Sequence, residues 1–189
     1  MLSLSVVDDD QMLLDGFAAW LADFPGLRLV CTAHTVDDLL SEESEPADVV
    51  LLDLLLADRS DPAENVRRLV RAGRRVLVVS VVPHLDQAVA VIRAGAQGYL
   101  TKDSDLPTLA DAVRTVADGG LAHSQELALA WTRDNGPDRP ELSERERALL
   151  SAYGSGMTLA TAARRTGISP EAARDCLTGI RDRYRRCTT

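Results

Sequence analysis

The feature that most constrains the fold of this chain is an alternation of short apolar runs and helical patterns over residues 1–118. The apolar runs are rich in Val and Leu and lack polar interruptions, which is typical of strands buried on both faces of a parallel sheet. Between them, apolar residues recur at spacings of three and four, as on the buried face of a helix. Five strands that alternate with five helices predict an open α/β sheet with right-handed crossovers. The predicted strands are residues 2–7, 27–31, 48–52, 75–82 and 98–101.

A second unit is predicted after this one. Residues 119–141 have the composition of a connector, with room for a helix at 124–132 before a turn-rich stretch, Asn-Gly-Pro-Asp-Arg-Pro. Ser143 and Glu146 have the spacing of a capping box, and Ser169 followed by proline is typical of a helix start. Helices joined by a short glycine-containing turn predict a helix-turn-helix. The predicted domains are residues 1–118, the linker 119–141 and the helical domain 142–189.

Charge is distributed unevenly between these units. The whole chain has a formal net charge of −8. Residues 1–140 hold 12 cations against 23 acids, whereas residues 141–189 hold nine arginines against six acids, a net charge of +3. This pattern excludes a uniformly basic nucleic-acid coat and a disordered acidic tail. The three cysteines lack metal-ligand spacing, and we find neither a leader nor an apolar run near the ~20 residues of a membrane span, so we expect a cytoplasmic protein without a membrane partner.

Acidic, hydroxyl and lysine side chains stand where the predicted strands end. Asp8 and Asp9 follow the first strand, Asp53 follows the third, and Ser80 and Lys102 lie at the ends of the fourth and fifth. The carboxyl ends of parallel strands share one edge of a sheet, so we expect these side chains to converge. Carboxylates suit a hard divalent cation such as Mg²⁺, and a neighbouring lysine and hydroxyl can bind a transferred phosphoryl group. A central carboxylate can itself be the nucleophile that forms an acyl phosphate.

With these motifs the chain resembles two-component response regulators of the NarL/FixJ subfamily. The receiver motifs are Asp8-Asp9 after the first strand, Asp53 at the end of VVLLD, Ser80 in VLVVS and Lys102 in GYLTKD. The LuxR-type motifs are LSERERALL at 142–150, Gly-Met-Thr at 156–158 and Gly-Ile-Ser at 167–169. The resemblance implies a flavodoxin-like (β/α)5 receiver with a parallel sheet, followed by a small all-α helix-turn-helix domain. It also implies a bacterial transcription regulator that is not an enzyme.

The resemblance implies a phosphorylation chemistry for the acidic cluster. Asp53 would accept a phosphoryl group from a partner sensor histidine kinase. Asp9 and Asp53 would ligate Mg²⁺, Asp8 would act through water, and the carbonyl of Leu55 would complete the metal site.

Three further residues would respond to the phosphoryl group and pass its effect to the protein surface. Lys102 would pair with the phosphate, Ser80 would move to bond it, and Tyr99 would then rotate inward. These movements would change the surface of the fourth and fifth helices and favour homodimerisation or release of the DNA-binding domain. Phosphorylation would thus shift the population between two pre-existing arrangements.

The last predicted helix would read promoter or operator DNA. Side chains at spacings of three and four share one face of this helix, where arginines suit guanine edges or phosphates and acids suit the amino group of cytosine. The candidate DNA-binding residues are Glu171, Arg174, Asp175, Thr178 and Arg181.

Several positions depart from the family pattern and leave alternatives open. The loop at 56–61 replaces the usual Met-Pro pair and is more acidic, and Val81 stands where the family has a very small residue. These departures favour an alternative in which an atypical receiver responds to a small molecule or a protein instead of phosphate. The aspartate triplet also allows Asp9 and Asp10 to be the metal pair. A phosphatase of the haloacid-dehalogenase type would need an Asp two residues after its nucleophile, where this chain has Leu55.

Overall fold

The computed structural model describes residues 1–22 and 24–187. Its sheet has five parallel strands in the order β2-β1-β3-β4-β5, so the predicted α/β sheet is confirmed. The strand order reverses between β1 and β3, because β2 lies on one side of this pair and β4 and β5 lie on the other. Open sheets of this kind bind ligands at the carboxyl ends of the strands beside such a reversal. The strands are β1 (Leu2–Val7), β2 (Leu27–Ala33), β3 (Val49–Asp53), β4 (Val76–Ser80) and β5 (Tyr99–Thr101).

Nine helices are present in the described part of the chain. The first five alternate with the strands, and the other four come after the fifth helix. In residues 1–22 and 24–187, every helix is too short or too polar to cross a membrane. The helices are α1 (Gln11–Ala22), α2 (Val36–Glu42), α3 (Pro62–Arg71), α4 (Leu85–Ala94), α5 (Leu106–Ala117), α6 (Gln125–Arg133), α7 (Glu144–Gly154), α8 (Leu159–Arg165) and α9 (Pro170–Arg186).

The fourth strand is shorter than the sequence predicts. The prediction extended it to residue 82, but β4 ends at Ser80, where it pairs with Thr101 at the end of β5. Val81 and Val82 pair with no strand in the described part of the chain and are 71% and 56% exposed. Their β-branched side chains continue the strand pattern of the sequence, but this propensity is overridden by context, here by the end of the pairing with β5 at Ser80.

Side-chain caps hold most of the helix starts. The predicted capping box is present, because Ser143 Oγ accepts from the backbone N–H of Glu146 (3.2 Å) and Glu146 Oε2 accepts from the N–H of Ser143 (2.7 Å). Such caps stabilise a helix by about 1 kcal/mol. By contrast, α4 starts after His84, whose side chain makes no capping hydrogen bond to any residue that the structure describes.

The hydrophobic core covers both faces of the sheet and continues into the C-terminal helices. On one face, α1 and α5 bury residues such as Leu14 and Val113. On the other face, the cluster that contains Ile92 of α4 extends through Leu127 of α6 to Leu149 of α7. The predicted connector is therefore packed structure, and α6 lies against both α4 and α7.

Candidate functional site

Two buried carboxylates and one ammonium meet at the carboxyl edge of the sheet. Asp8 directly follows β1, Asp53 is the last residue of the neighbouring β3, and Lys102 directly follows β5. Lys102 Nζ donates to Asp8 Oδ2 at 2.6 Å and to Asp53 Oδ2 at 3.0 Å. The strand ends therefore bring together the residues that the sequence analysis selected from three separate motifs.

A third carboxylate completes the cluster. One oxygen from each of Asp8, Asp9 and Asp53 lies within 4.8 Å of the others, and Asp9 is exposed to solvent. Asp10 is engaged elsewhere, because its Oδ1 accepts from the backbone N–H of Met12 at 2.9 Å at the start of α1. The structure therefore brings together the first two aspartates of the triplet and not the Asp9–Asp10 pair. Three converging carboxylates are a donor set that fits a hard divalent cation such as Mg²⁺.

Burial and charge act against each other at this site. Burial raises the pKa of Asp53, the hydrogen bond from Lys102 opposes that rise, and the neighbouring Asp8 charge adds to it. Burial alone would lower the pKa of Lys102, but its hydrogen bonds to Asp8 and Asp53 raise that pKa above its ordinary value. Lys102 therefore holds its proton more firmly than an isolated lysine, and the ionised form of Asp53 depends on positive charge close to it.

Ser80 and Tyr99 lie beside this cluster in defined orientations. Ser80 Oγ donates to the carbonyl of Val82 at 2.9 Å, so its hydroxyl is held by the β4–α4 loop. Tyr99 is fully buried, and its hydroxyl accepts from the N–H of His84 at 3.1 Å. The resemblance implied that Tyr99 turns inward upon phosphorylation, but the structure already has it inside. The same β4–α4 loop is thus bound by both residues.

Three exposed apolar residues follow Asp53 and Ser80 in the chain, and the sequence analysis did not recognise them as exposed. Leu55 follows Asp53 by two residues and is 51% exposed, and its backbone N–H acts to lower the pKa of Asp53. Val81 and Val82 border Ser80 and are also exposed. The sequence signal for these exposed residues was the VVPH stretch directly after Ser80, but the prediction assigned its two valines to the fourth strand.

The candidate DNA-binding residues do not all share one surface. Glu171, Arg174 and Asp175 are exposed on α9, and Thr178 is half-buried. Arg181 is the exception, because it is 6% exposed and its Nη2 forms an ion pair with Asp182 Oδ1 at 2.8 Å. The expectation that Arg181 lies on the open face with the other four is therefore wrong in this arrangement.

The C-terminal half of α9 packs against α4 of the α/β unit. The guanidinium of Arg93, in the last turn of α4, lies over the ring of Tyr184 at 5.5 Å from its centroid. Arg93 Nη2 also pairs with Asp134 Oδ2 at 3.4 Å, and the ring of Trp131 stacks on that of Tyr184 at 5.5 Å. We call these four residues the α4–α9 joint. Spacing in the sequence gave no signal for it, because its members come from three separate segments.

Comparison with known proteins gives concordant similarities. The response regulator receiver domain family matches residues 4–114. Response regulator GacA of Pseudomonas aeruginosa is 35% identical over 156 residues, which cover 77% of this chain and 72% of GacA. Response regulator UvrY of Escherichia coli is 25% identical over 180 residues, which cover 90% of this chain and 82% of UvrY.

Solved structures agree with these similarities. A LuxR-family two-component response regulator from Aurantimonas sp. SI85-9A1 has a TM-score of 0.60 at 26% identity, covering 68% of this chain and 93% of that one. The response regulator ChrA of a heme-sensing two-component system has a TM-score of 0.57 at 25% identity and covers 98% and 95%. RcsB from Salmonella enterica serovar Typhimurium, solved bound to the promoter rprA, shares the fold with a TM-score of 0.60 at 14% identity, covering 99% and 98%.

Proposed function

The chain belongs to the two-component response regulators of the NarL/FixJ type, and on this premise we propose that phosphoryl transfer to Asp53 switches its binding to DNA. The observation that carries this proposal is the Asp8–Lys102–Asp53 arrangement at the sheet edge. The nearest alternative remains a receiver that responds to a ligand or a protein without phosphate.

The chemistry follows from the surroundings of Asp53. A carboxylate oxygen of Asp53 attacks the phosphorus of a phosphohistidine on a sensor kinase, and the phosphorus–nitrogen bond breaks with its electron pair going to the imidazole. Lys102 already lies 3.0 Å from Asp53, so its ammonium can pair with the new phosphoryl oxygens. Asp8, Asp9 and Asp53 would hold Mg²⁺, with the carbonyl of Leu55 as a further ligand. Bound Mg²⁺ supplies positive charge that keeps Asp53 ionised and neutralises the transferred group.

The switch would act through the loop between β4 and α4. A phosphoryl group on Asp53 offers Ser80 a charged acceptor in place of the Val82 carbonyl, to which it now donates. Release of that carbonyl loosens the loop that Tyr99 also holds through His84. The change would pass along α4 to Arg93 and open the α4–α9 joint.

DNA binding is assigned to the domain at 142–189, with residues 1–118 as the receiver and 119–141 as the linker. The exposed residues Glu171, Arg174 and Asp175, with Thr178, are the proposed reading surface, and RcsB is a relative in fold that has been solved on promoter DNA. A net charge of +3 is modest for binding a phosphate backbone, so we propose that two copies bind together as a homodimer.

Mass spectrometry after incubation with acetyl phosphate and Mg²⁺ tests the proposal. The wild-type protein should gain one phosphoryl group, Asp53→Asn should gain none, and Asp58→Asn, in the adjacent loop, should behave as wild type. An unmodified wild-type protein that still binds its operator would contradict the phosphorylation mechanism and favour the alternative.

A gel shift on DNA upstream of the chain's own gene tests the output. Phosphodonor should change the affinity of the wild-type protein but not that of Asp53→Asn. Arg174→Ala should weaken binding by about 1–3 kcal/mol if the guanidinium contacts a base edge. Arg133→Ala removes an exposed arginine from α6 and serves as the charge-matched control.

A further inference from the structure

The outer edge of β5 is covered by the segment that leads into α6. One edge of this three-residue strand pairs with β4. On the other side, the backbone N–H of Ala122 donates to the carbonyl of Gln97, just before the strand, at 2.8 Å. Two residues further along both segments, the hydroxyl of Ser124 donates to the carbonyl of Tyr99 at 2.6 Å. A side chain at the start of α6 therefore binds the backbone of a residue that belongs to the proposed switch.

The same hydroxyl also caps α6. Ser124 directly precedes this helix, and its Oγ accepts from the backbone N–H of Leu127 at 3.2 Å. Ser124 is buried, with an exposed fraction of 6%. A buried hydroxyl that loses a partner has no water to replace it, so breaking its bond to Tyr99 is unfavourable. The first turn of α6 is therefore tied to the strand that begins at Tyr99 and ends next to Lys102.

The bond to Ser124 is the last in a series of hydrogen bonds that begins at Ser80. Ser80 Oγ and the Tyr99 hydroxyl both donate to the carbonyl of Val82, at 2.9 and 3.4 Å. The Tyr99 hydroxyl also accepts from the N–H of His84 at 3.1 Å. Tyr99 thus holds the β4–α4 loop with its side chain and the start of α6 with its backbone.

Other contacts of α6 attach it to the helices of the DNA-binding domain. Gly154 ends α7, and a Cβ atom at this position would lie 2.8 Å from the backbone nitrogen of Leu129 and 3.0 Å from its Cα. The two helix backbones approach this closely because glycine has no Cβ atom. Gln125 Nε2 also donates to the carbonyl of Met157, between α7 and α8, at 3.0 Å. The contact between α6 and α7 is therefore closely packed.

α6 packs against the reading helix as well. The ring of Trp131 stacks on that of Tyr184 of α9 with their centroids 5.5 Å apart, and both residues are buried. Closely packed helices tend to move together, because a packed interface does not deform continuously. The unit that carries the proposed reading surface therefore begins at Ser124, before the turn-rich stretch of the predicted linker.

We propose that the Ser124–Tyr99 hydrogen bond is a latch that holds a DNA-binding unit of α6 to α9 on the receiver, and that phosphorylation opens it. This inference rests on the proposed function and adds a second connection to the one through α4. When Ser80 turns to a phosphoryl group, the loop that it held shifts Tyr99. A displacement of about 1 Å takes a hydrogen bond of 2.6 Å beyond bonding distance. Ser124 is a positioning residue, since it acts through Tyr99 and α6.

A gel shift on DNA upstream of the chain's own gene tests the latch. Ser124→Ala removes the donor to Tyr99. Without phosphodonor, its affinity for DNA should differ from that of wild type by about fivefold, in the direction in which phosphodonor shifts the wild type. The shift should persist in the Asp53→Asn background, where Asp53 cannot accept a phosphoryl group. Ser124→Thr keeps the hydroxyl and should restore the wild-type affinity.

Ser143→Ala is the matched control, because it removes an equivalent cap from α7. Ser143 Oγ accepts from the N–H of Glu146 at 3.2 Å, but this serine lies on the first turn of α7 and not beside β5. Ser143→Ala should change DNA affinity by less than about twofold. Mass spectrometry should show equal phosphorylation of Asp53 in all three variants, and circular dichroism checks that they are folded.

Amide hydrogen exchange tests the latch without phosphate. In Ser124→Ala, the amides of the first turn of α6 should exchange about fivefold faster, and so should that of His84, which the Tyr99 hydroxyl holds. Ser143→Ala should accelerate only the first turn of α7. The loss of a purely local cap at Ser124 would not reach His84, so this measurement separates a latch from a helix cap.

Three results would overturn the proposal. An unchanged DNA affinity of Ser124→Ala, or a shift opposite to that caused by phosphodonor, means that the bond to Tyr99 does not hold the reading surface. Equal shifts in Ser124→Ala and Ser143→Ala mean that helix stability alone is responsible. Unchanged exchange at His84 in Ser124→Ala means that α6 is not connected to the β4–α4 loop.

The same experiments separate the latch from the proposed function. If phosphodonor has no effect on the wild-type protein, phosphorylation is not the signal and the proposed function fails. The exchange of His84 then decides alone, because it needs no phosphate. Faster exchange in Ser124→Ala supports the latch, and unchanged exchange overturns it together with the proposed function.

Discussion

Replacing Lys102 with Met removes the ammonium between the carboxylates of Asp8 and Asp53. Its Nζ lies 2.6 and 3.0 Å from their oxygens, and the Asp8 side chain is 1% exposed. Removing one partner from a buried ion pair costs about 3–5 kcal/mol, because the remaining charge stays desolvated. Water reaches part of this site, since the Lys102 side chain is 13% exposed. We therefore expect Lys102→Met to lower the free energy of unfolding by about 3 kcal/mol at pH 7 without metal.

The loss should depend on pH with a defined sign. Burial already raises the pKa of Asp53, and removal of Lys102 takes away the hydrogen bond that opposes this rise. The folded variant then binds a proton at Asp53 more readily than the unfolded chain does. The stability of the variant relative to wild type should be lowest at a pH above the raised pKa of Asp53. It should recover as the pH falls through that pKa.

Mg²⁺ should also recover the stability of the variant. The cluster of Asp8, Asp9 and Asp53 keeps three negative charges, and a cation that binds only the folded state stabilises it by about 2.7 kcal/mol at one hundred times its Kd. The wild-type protein should gain less, since its ammonium competes for the same carboxylates. Urea unfolding with EDTA or with Mg²⁺ measures both effects.

Arg114→Met is the matched control for the loss of a paired cation. The Arg114 side chain is 46% exposed, pairs with Asp111 on the same helix and lies over the ring of Phe24, so the expected change is about 0–1 kcal/mol. If Lys102→Met is within about 1 kcal/mol of wild type in EDTA, or if Mg²⁺ stabilises both proteins equally, the charge balance described for this site is incorrect.

Three further predictions concern the C-terminal half. Burial lowers the pKa of His123, with Arg174 adding to the effect, so the stability that neutral His123 supports should be lost as the pH falls below about 6.5; urea unfolding should show a weaker pH dependence for His123→Gln. Arg93→Ala removes the cation over Tyr184, worth about 1–2 kcal/mol, and amide hydrogen exchange in α9 should become faster while that in α1 stays unchanged. Ser143→Ala removes the cap of α7 and should lower the free energy of unfolding by about 1 kcal/mol in thermal melts.

The sheet and the acidic cluster were predictable from sequence because both follow from local pattern and one topological rule. Apolar runs mark buried strands, and the carboxyl ends of parallel strands share an edge, so Asp8, Asp53 and Lys102 had to meet. The lysine carried extra information, because it is the only one among 21 cationic residues. A chain that uses arginine everywhere else has its one compact ammonium between the two buried carboxylates.

The surroundings of α9 were not predictable from its own sequence. Helical spacing places Arg181 near Arg174, but the exposure of Arg181 depends on what packs beside that helix. The side chains of Tyr184 and Trp131 meet only because α6 packs against α7 in the folded chain. The inward position of Tyr99 likewise depends on the β4–α4 loop. The sequence did not show the length of this loop, because a run of valines extended the predicted fourth strand into it.

The start of α4 bears on the proposed switch. A side-chain cap stabilises a helix start by about 1 kcal/mol, and Asp61 and Asp105 provide such caps for α3 and α5. His84 provides none, so α4 is held at its start mainly by the hydroxyl of Tyr99 and by the loop that Ser80 binds. Its other end carries Arg93 into the α4–α9 joint. If phosphorylation redirects the Ser80 hydroxyl as proposed, the uncapped start of α4 would respond first, and the helix would pass the change to Arg93 at its other end. The predicted consequence is that a side-chain cap introduced by His84→Asp weakens the response of DNA binding to phosphodonor while leaving phosphorylation of Asp53 unchanged in mass spectrometry.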